Sequence, residues 1–280
     1  RDILILSLSG LILFDLVSID IHYVNKDDFE YSRAVDKPFV KQKVNEEIQK
    51  DTTYYRVANL GGNLLNEART SYFHNSIGGY HAAKMKRYQE LFDYQIAKNN
   101  MEMLNMLNVK YFIIDEQRYE ENPQANGNVW FVSQLNLVRS ADEEIKALDS
   151  INSKKEAVLK TDDTLETKYR IDGTARIELQ SHDLNKLVYS SDSKEPQFAV
   201  FSEIYYSEGW KAYIDGEEQP YYNVNYVLRG MPVPAGSHTI TFKFLPEVID
   251  KGRLVSLLSY AIIILLPLFW FFYSRAKTKQ

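Results

Sequence analysis

The densest group of side chains able to do chemistry lies between Tyr72 and Arg87: Tyr72, His74, Asn75, Gly78, Gly79, Tyr80, His81, Lys84 and Arg87. Two adjacent glycines ahead of a helix free backbone N–H groups at its N-terminus, where the helix dipole favours anions. On a helix over 81–98, Lys84 and Arg87 stand one turn apart, one a point charge and the other a bidentate fork for phosphate. Tyr72 and Tyr80 offer rings for a sugar face. The expectation is a site for a phosphate or sugar, set against a plainer reading in which Gly-Gly is punctuation and the basic residues form a solvated face.

Other constellations are weaker. The five histidines (His22, His74, His81, His182, His238) are scattered, and the seven-residue step from His74 to His81 is no metal-ligand spacing on a helix. The chain has no cysteine, which removes disulfides, thiol catalysis and Cys-based zinc sites. No nucleophile-elbow sequence accompanies the serines. Asp27-Asp28, Asp162-Asp163 and Glu217-Glu218 read as exposed turns. Tyr205, Tyr206, Trp210 and Tyr213 could stack on carbohydrate, but alternation along strands sends half of them into a core. No cofactor and no metal is expected.

The elements that must hold these residues begin at the ends of the chain. Residues 254–273 read LVSLLSYAIIILLPLFWFFY, twenty residues without a charge, enough at about 1.5 Å per residue to cross a hydrocarbon core of roughly 30 Å. Pro267 is tolerable in such a helix. Trp270 and Tyr273 suit an interface, and Arg275, Lys277 and Lys279 follow, which puts a tail over 274–280 in the cytoplasm; Lys251 and Arg253 on the other flank weigh against that orientation. Residues 3–19 are apolar apart from Asp15, near the segment's end. With neither an initial Met nor a small-residue cleavage site, residues 1–20 are expected to be the last part of a polytopic region. The segment between, 20–253, holds 29 basic against 36 acidic residues, a poor partner for nucleic acid.

Within that segment, 21–165 mixes helix and strand signals. Strands are expected at 54–58, 109–114 and 129–138, and helices at 81–98 (Met85, Tyr88, Phe92, Ile96 on one face), 101–107 and from Ser140, whose spacing to Glu143 is that of a capping box. Over 166–250 the pattern turns to short strands (175–179, 198–206, 226–228, 239–244), with Asp215-Gly216 at a tight hairpin turn. The expected class is α+β: a mixed α/β domain, then a small antiparallel β-sandwich, flanked by transmembrane helices.

Several strings in order, NEARTSYFHNSIGGYHAAKMKRYQELFDYQI, MLNMLNVKYFII, NPQANGNVWFV, FSEIYYSEGWKAYIDG and NYVLRGMPVPAGSHTITFKFLP, resemble the C-terminal part of the bacterial YfhO family in its Bacteroides-type form. FDLVSIDIHYVNKDDF is similar to that family's exit from its late spans. The resemblance implies a multi-pass protein of the bacterial cytoplasmic membrane, related to the GT-C glycosyltransferases. GT-C enzymes use a polyprenyl-phosphate-linked sugar, and the family's Gram-positive relatives are implicated in glycosylating cell-envelope polymers such as teichoic acids. In GT-C enzymes the catalytic carboxylate sits in the first extracytoplasmic loop. No residue here matches it, so none is assigned a catalytic role. The implied part for this region, with 21–250 outside the cytoplasm, is donor or acceptor binding through Tyr72, His74, Gly78, Gly79, Tyr80, His81, Lys84 and Arg87. The competing readings are a membrane-anchored module that binds glycan or protein without catalysis, and a scaffold with no ligand.

Overall fold

A computed structural model describes residues 2–161, 165–171 and 173–277; the Asp162-Asp163 pair and the end of the C-terminal tail lie outside the described residues. The elements are α1 (Asp2–Tyr23), α2 (Ser32–Asp36), α3 (Lys43–Ile48), β1 (Arg56–Asn59), α4 (Arg69–Phe73), α5 (Lys86–Tyr94), α6 (Met101–Met106), β2 (Val109–Ile113), β3 (Tyr119–Glu121), β4 (Val129–Val132), β5 (Gln134–Val138), α7 (Ala141–Ala147), β6 (Glu156–Lys160), β7 (Arg176–Asp183), β8 (Lys186–Ser193), β9 (Gln197–Ile204), β10 (Trp210–Ile214), β11 (Glu217–Gln219), β12 (Tyr222–Val224), β13 (Leu228–Val233), β14 (Gly236–Phe244) and α8 (Glu247–Lys277).

Three sheets organise them: β1-β2-β3, β4-β9-β13-β12-β6-β5 and β11-β10-β14-β8-β7. The six-stranded sheet is covered on both faces. Alternate residues of β4 show it: Val129 and Phe131 meet Leu187, Tyr189, Ile240 and Phe242 of the five-stranded sheet, whereas Trp130 and Val132 join the core built with Leu91, Met103 and Leu148 of the helical side. β9 accordingly reads as a near-continuous apolar run, buried from Gln197 to Ser202. β8, with one face outward, alternates instead. A third cluster (Val44, Ile48, Tyr55, Val57, Tyr111, Ile113) packs α3 against the three-stranded sheet.

The α+β class with terminal apolar helices holds. The sandwich is wider than its sequence signal, because β4, β5 and β6 all lie before residue 165 yet share a sheet with β9, β12 and β13. The expected boundary at 165 therefore runs through that sheet. Pairing is antiparallel apart from β5 with β6 and β1 with β2. The expected strand over 129–138 is two strands on opposite edges of one sheet, parted at Ser133, whose N–H and hydroxyl both reach Lys155 O. Tyr226 and Val227, expected in a strand, form a turn, with Asn225 and Tyr226 at φ 49° and 72°. Ser140 caps α7 by accepting from Glu143 N–H at 3.2 Å.

Asp215 and Gly216 make the β10–β11 turn with φ of 51° and 91°, as a type I′ turn requires. The Asp215 carboxylate accepts from Thr239 N–H (2.8 Å) and from His238 Nδ1 (2.6 Å), while His238 Nε2 lies 3.1 Å from Ala235 O. Both imidazole nitrogens face oxygen acceptors, which is the arrangement of an imidazolium. The Asp215 bond, and then the Ala235 carbonyl, raise His238 above its ordinary pKa. A raised histidine stabilises the fold fully below about pH 6.5 and loses that contribution as pH rises through its folded value. His238→Ala should therefore flatten the fall in Tm between pH 6 and pH 9, read by thermal melts in detergent; an unaltered slope would refute the clamp.

α1 and α8 are the two helices long and apolar enough to cross a membrane among the described residues, and no residue of either crossing window is buried. Leucine, isoleucine and phenylalanine side chains stand exposed all round both helices, an arrangement that suits lipid and not water.

Candidate functional site

The residues singled out by sequence do not form one site. α5 starts at Lys86, with Met85 at its N-cap and no side-chain cap bond, so the helix expected from His81 begins five residues later. Gly78-Gly79 is therefore no helix N-terminus. Residues 75–77 run instead beside β1, with Val57 N–H donating to Asn75 O (2.8 Å) and Ile77 N–H to Val57 O (3.1 Å). The Gly78 N–H is already used by Ser76 Oγ at 3.1 Å. What requires glycine at 78 is contact: a Cβ there would sit 1.5 Å from Leu64 O. Gly79 has φ of 129°, outside the range that side chains favour.

His74 and Tyr72 border a polar cleft of about 310 Å³ with Gln49, Asp51 and Tyr55. His74 Nε2 bonds Asn45 Oδ1 at 2.9 Å, and burial, with Lys41 adding to it, lowers its pKa to about 4, so it is neutral at physiological pH. Tyr72 stands edge-on to Phe39 and Phe73. Asp51 accepts from Lys110 Nζ (2.5 Å) and Tyr111 Oη (2.9 Å) and lies well below the usual carboxylate range; burial opposes that shift, and the Lys110 and Thr53 bonds outweigh it.

Arg87 points elsewhere. Its Nη1 donates to Glu144 Oε2 and to Tyr226 O, both at 3.0 Å, and its guanidinium lies 4.5 Å from the Tyr226 ring centroid. Glu144 is fully buried and takes Tyr226 N–H on its other oxygen. Arg87 thus braces the left-handed turn at Asn225-Tyr226, and the pairing of Lys84 with Arg87 as a phosphate clamp does not form.

Gly78, His81 and Lys84 do meet, on a second cleft of about 300 Å³, where they are joined by Arg56, Tyr88 and Ile204. Among the described residues, no acidic one lines it. Lys84 Nζ makes one long contact, 3.5 Å, to Leu65 O, and His81 is exposed. Tyr80 is 76% exposed and off the cleft. Arg56 is buried behind it: Nη1 donates to Leu107 O (3.0 Å), Ser202 O (2.6 Å) and Ser202 Oγ (3.0 Å), and Nη2 lies 3.5 Å from Glu203. Burial penalises the Glu203 carboxylate, yet His182, Arg56 and Arg229 together hold it below its ordinary pKa. Sequence reasoning passed over Arg56, although a charged residue inside the apolar strand YYRVA was its signal, since a buried charge must find partners.

The aromatic group is dispersed as well. Trp210 packs on the sandwich core beneath Arg229, 4.2 Å from its centroid, while Tyr213 faces outward under Lys243. Tyr206 is exposed, and Tyr205 leans on Tyr221.

Residues 149–256 match the family model for the bacterial membrane protein YfhO, a stretch that runs from the turn after α7 through the whole five-stranded sheet into α8. Comparison with curated proteins and with solved structures gives no match. The matched stretch joins the sandwich directly to an apolar span, the join that the strings near the C-terminus resemble. Over residues 149–256, this chain is similar to the bacterial membrane protein YfhO.

Proposed function

We propose that the chain is the extracytoplasmic, C-terminal region of a GT-C-type membrane glycosyltransferase, and that the Arg56–His81–Lys84 cleft takes the phosphate of a polyprenyl-phosphate sugar or of an anionic envelope glycopolymer. The observation that carries this reading is the lining: among the described residues, three basic side chains and no acidic one. Arg56 is offset by Glu203, so Lys84 supplies the free positive charge and His81 a hydrogen-bonding ring, and Met85, Ile77 and Tyr88 give the apolar wall that a lipid-linked sugar needs. The carboxylate for chemistry comes from elsewhere in such a protein, in keeping with the resemblance. A binding module without catalysis draws on the same lack of an acid in the cleft.

The test uses the intact protein in its native membrane. Lys84→Ala with His81→Ala should lower the sugar content of the envelope polymer by about tenfold, the loss of one charge-assisted contact of about 1.4 kcal/mol, with protein in the membrane unchanged. Tyr80→Ala, off the cleft, serves as the control. Wild-type glycan in the double variant would remove the cleft from the mechanism. Wild-type glycan after deletion of the whole gene would favour the binding module.

A further inference from the structure

One end of the five-stranded sheet leads directly into the apolar helix α8. β14 runs through Leu245 and Pro246 into α8, and at that end Phe244 N–H donates to Asn185 O (2.9 Å) and Leu245 N–H to Gly209 O (2.6 Å). The β7–β8 turn and the loop before β10 are therefore level with the start of the span. Leu184, at the tip of the β7–β8 turn, is 92% exposed, and Leu245, Val248 and Ile249 are exposed beside it. Among the described residues, these apolar side chains are left open to the surroundings.

One step back along the strands, the register sets Lys186 opposite Lys243 and Lys243 opposite Lys211. The three lysines form a row on the outward face, alternating with the buried Leu187, Phe242 and Ala212. Like charges directly opposite one another cost stability. Lys211 is relieved by Glu218 at 3.3 Å, but Lys186 and Lys243 make no ion pair among the described residues. Between this edge and the first turns of α8 lies a groove of about 500 Å³ that includes Trp210, Lys211 and Lys251. Lys251 precedes the uncharged run by three residues, roughly 4.5 Å along the helix axis, whereas the headgroup layer extends roughly 5–7 Å beyond the hydrocarbon.

We propose that this end of the sandwich docks on the phospholipid surface, with Leu184 entering the headgroup layer and Lys186 and Lys243 reaching lipid phosphates. The exposed Tyr206 then takes the place that interfacial aromatics occupy. The docking fixes the sandwich against the membrane independently of what the cleft binds.

The absence of cysteine permits clean single-site labelling. Leu184→Cys and, at the opposite turn, Glu217→Cys are each labelled with a fluorophore, and the protein is reconstituted through its own spans into phosphatidylcholine–phosphatidylglycerol vesicles carrying a headgroup nitroxide. Quenching at 184 should exceed that at 217 several-fold. Equal quenching at the two sites overturns the docking. In a second variant, Lys186→Glu with Lys243→Glu, quenching at 184 should fall toward the level at 217. Because both lysines are exposed, this variant should fold, and full quenching in it overturns the phosphate contacts.

Discussion

Arg56→Met should destabilise the protein by about 3–5 kcal/mol, the range for removing one partner of a buried ion pair. The guanidinium satisfies Leu107 O, Ser202 O and Glu203 together, and it joins β1 to β9 across 146 residues of sequence. Methionine fills the volume but strands the carbonyls and leaves Glu203 to His182 at 3.7 Å. Adding Glu203→Gln should recover part of the loss, because a neutral amide costs less to bury than an unpaired carboxylate. The effect also has a sign in pH. Glu203 titrates below its ordinary value in the folded protein, so its contribution is present above about pH 4.5 and is lost on acidification through the folded pKa. The gap in Tm between wild type and Arg56→Met, measured in detergent, should therefore narrow below pH 4.5. A gap under 1 °C at pH 7 would show that the network carries no stability.

The second large effect falls on a residue that sequence alone pointed to as a ligand. Arg87→Ala should cost about 3–5 kcal/mol and lower the amount of folded protein, where a phosphate ligand would lower binding and leave stability intact. Glu144 is fully buried and sits above the usual carboxylate pKa because burial outweighs the pull of Arg87 and of the Tyr226 N–H. Removing Arg87 takes away the foremost of these lowering influences and drives the pKa further up. A raised carboxylate favours the folded state at low pH and loses that advantage as pH climbs from the unfolded value to the folded one. The variant should thus regain Tm between pH 7 and pH 5. Arg87→Ala with Glu144→Gln should melt above the single variant at pH 7, since the glutamine oxygen still accepts from Tyr226 N–H. Intact stability with loss of envelope glycan would return Arg87 to the ligand role.

What the sequence by itself determined is what neighbours along the chain decide. The twenty uncharged residues over 254–273 must be helical to satisfy their backbone in lipid, and α8 is continuous there. Asp215-Gly216 turns because positive φ at both positions suits those residues, and Ser140 caps α7 through the N–H three residues on. The alternation at Ala175, Ile177 and Leu179 is that of β7 with its inward face packed on the sandwich. Each of these signals is complete within a few residues.

The tertiary structure alone decided the partners. Gly78-Gly79 resembles a helix start until β1 takes residues 75–77 as a neighbour and Ser76 uses the free N–H. Arg87 resembles a phosphate fork until a buried glutamate 57 positions away claims it. β4, β5 and β6 carry the same local pattern whether they serve a helical layer or a sandwich, and it is the pairing of Val129–Val132 with β9, and of β6 with β12 at Leu159–Val224, that assigns them to the sandwich sheet. Periodicity encodes which face of an element is apolar. It carries nothing about which distant charge will meet a given charge, because desolvation and pairing act through space between residues that the sequence keeps far apart.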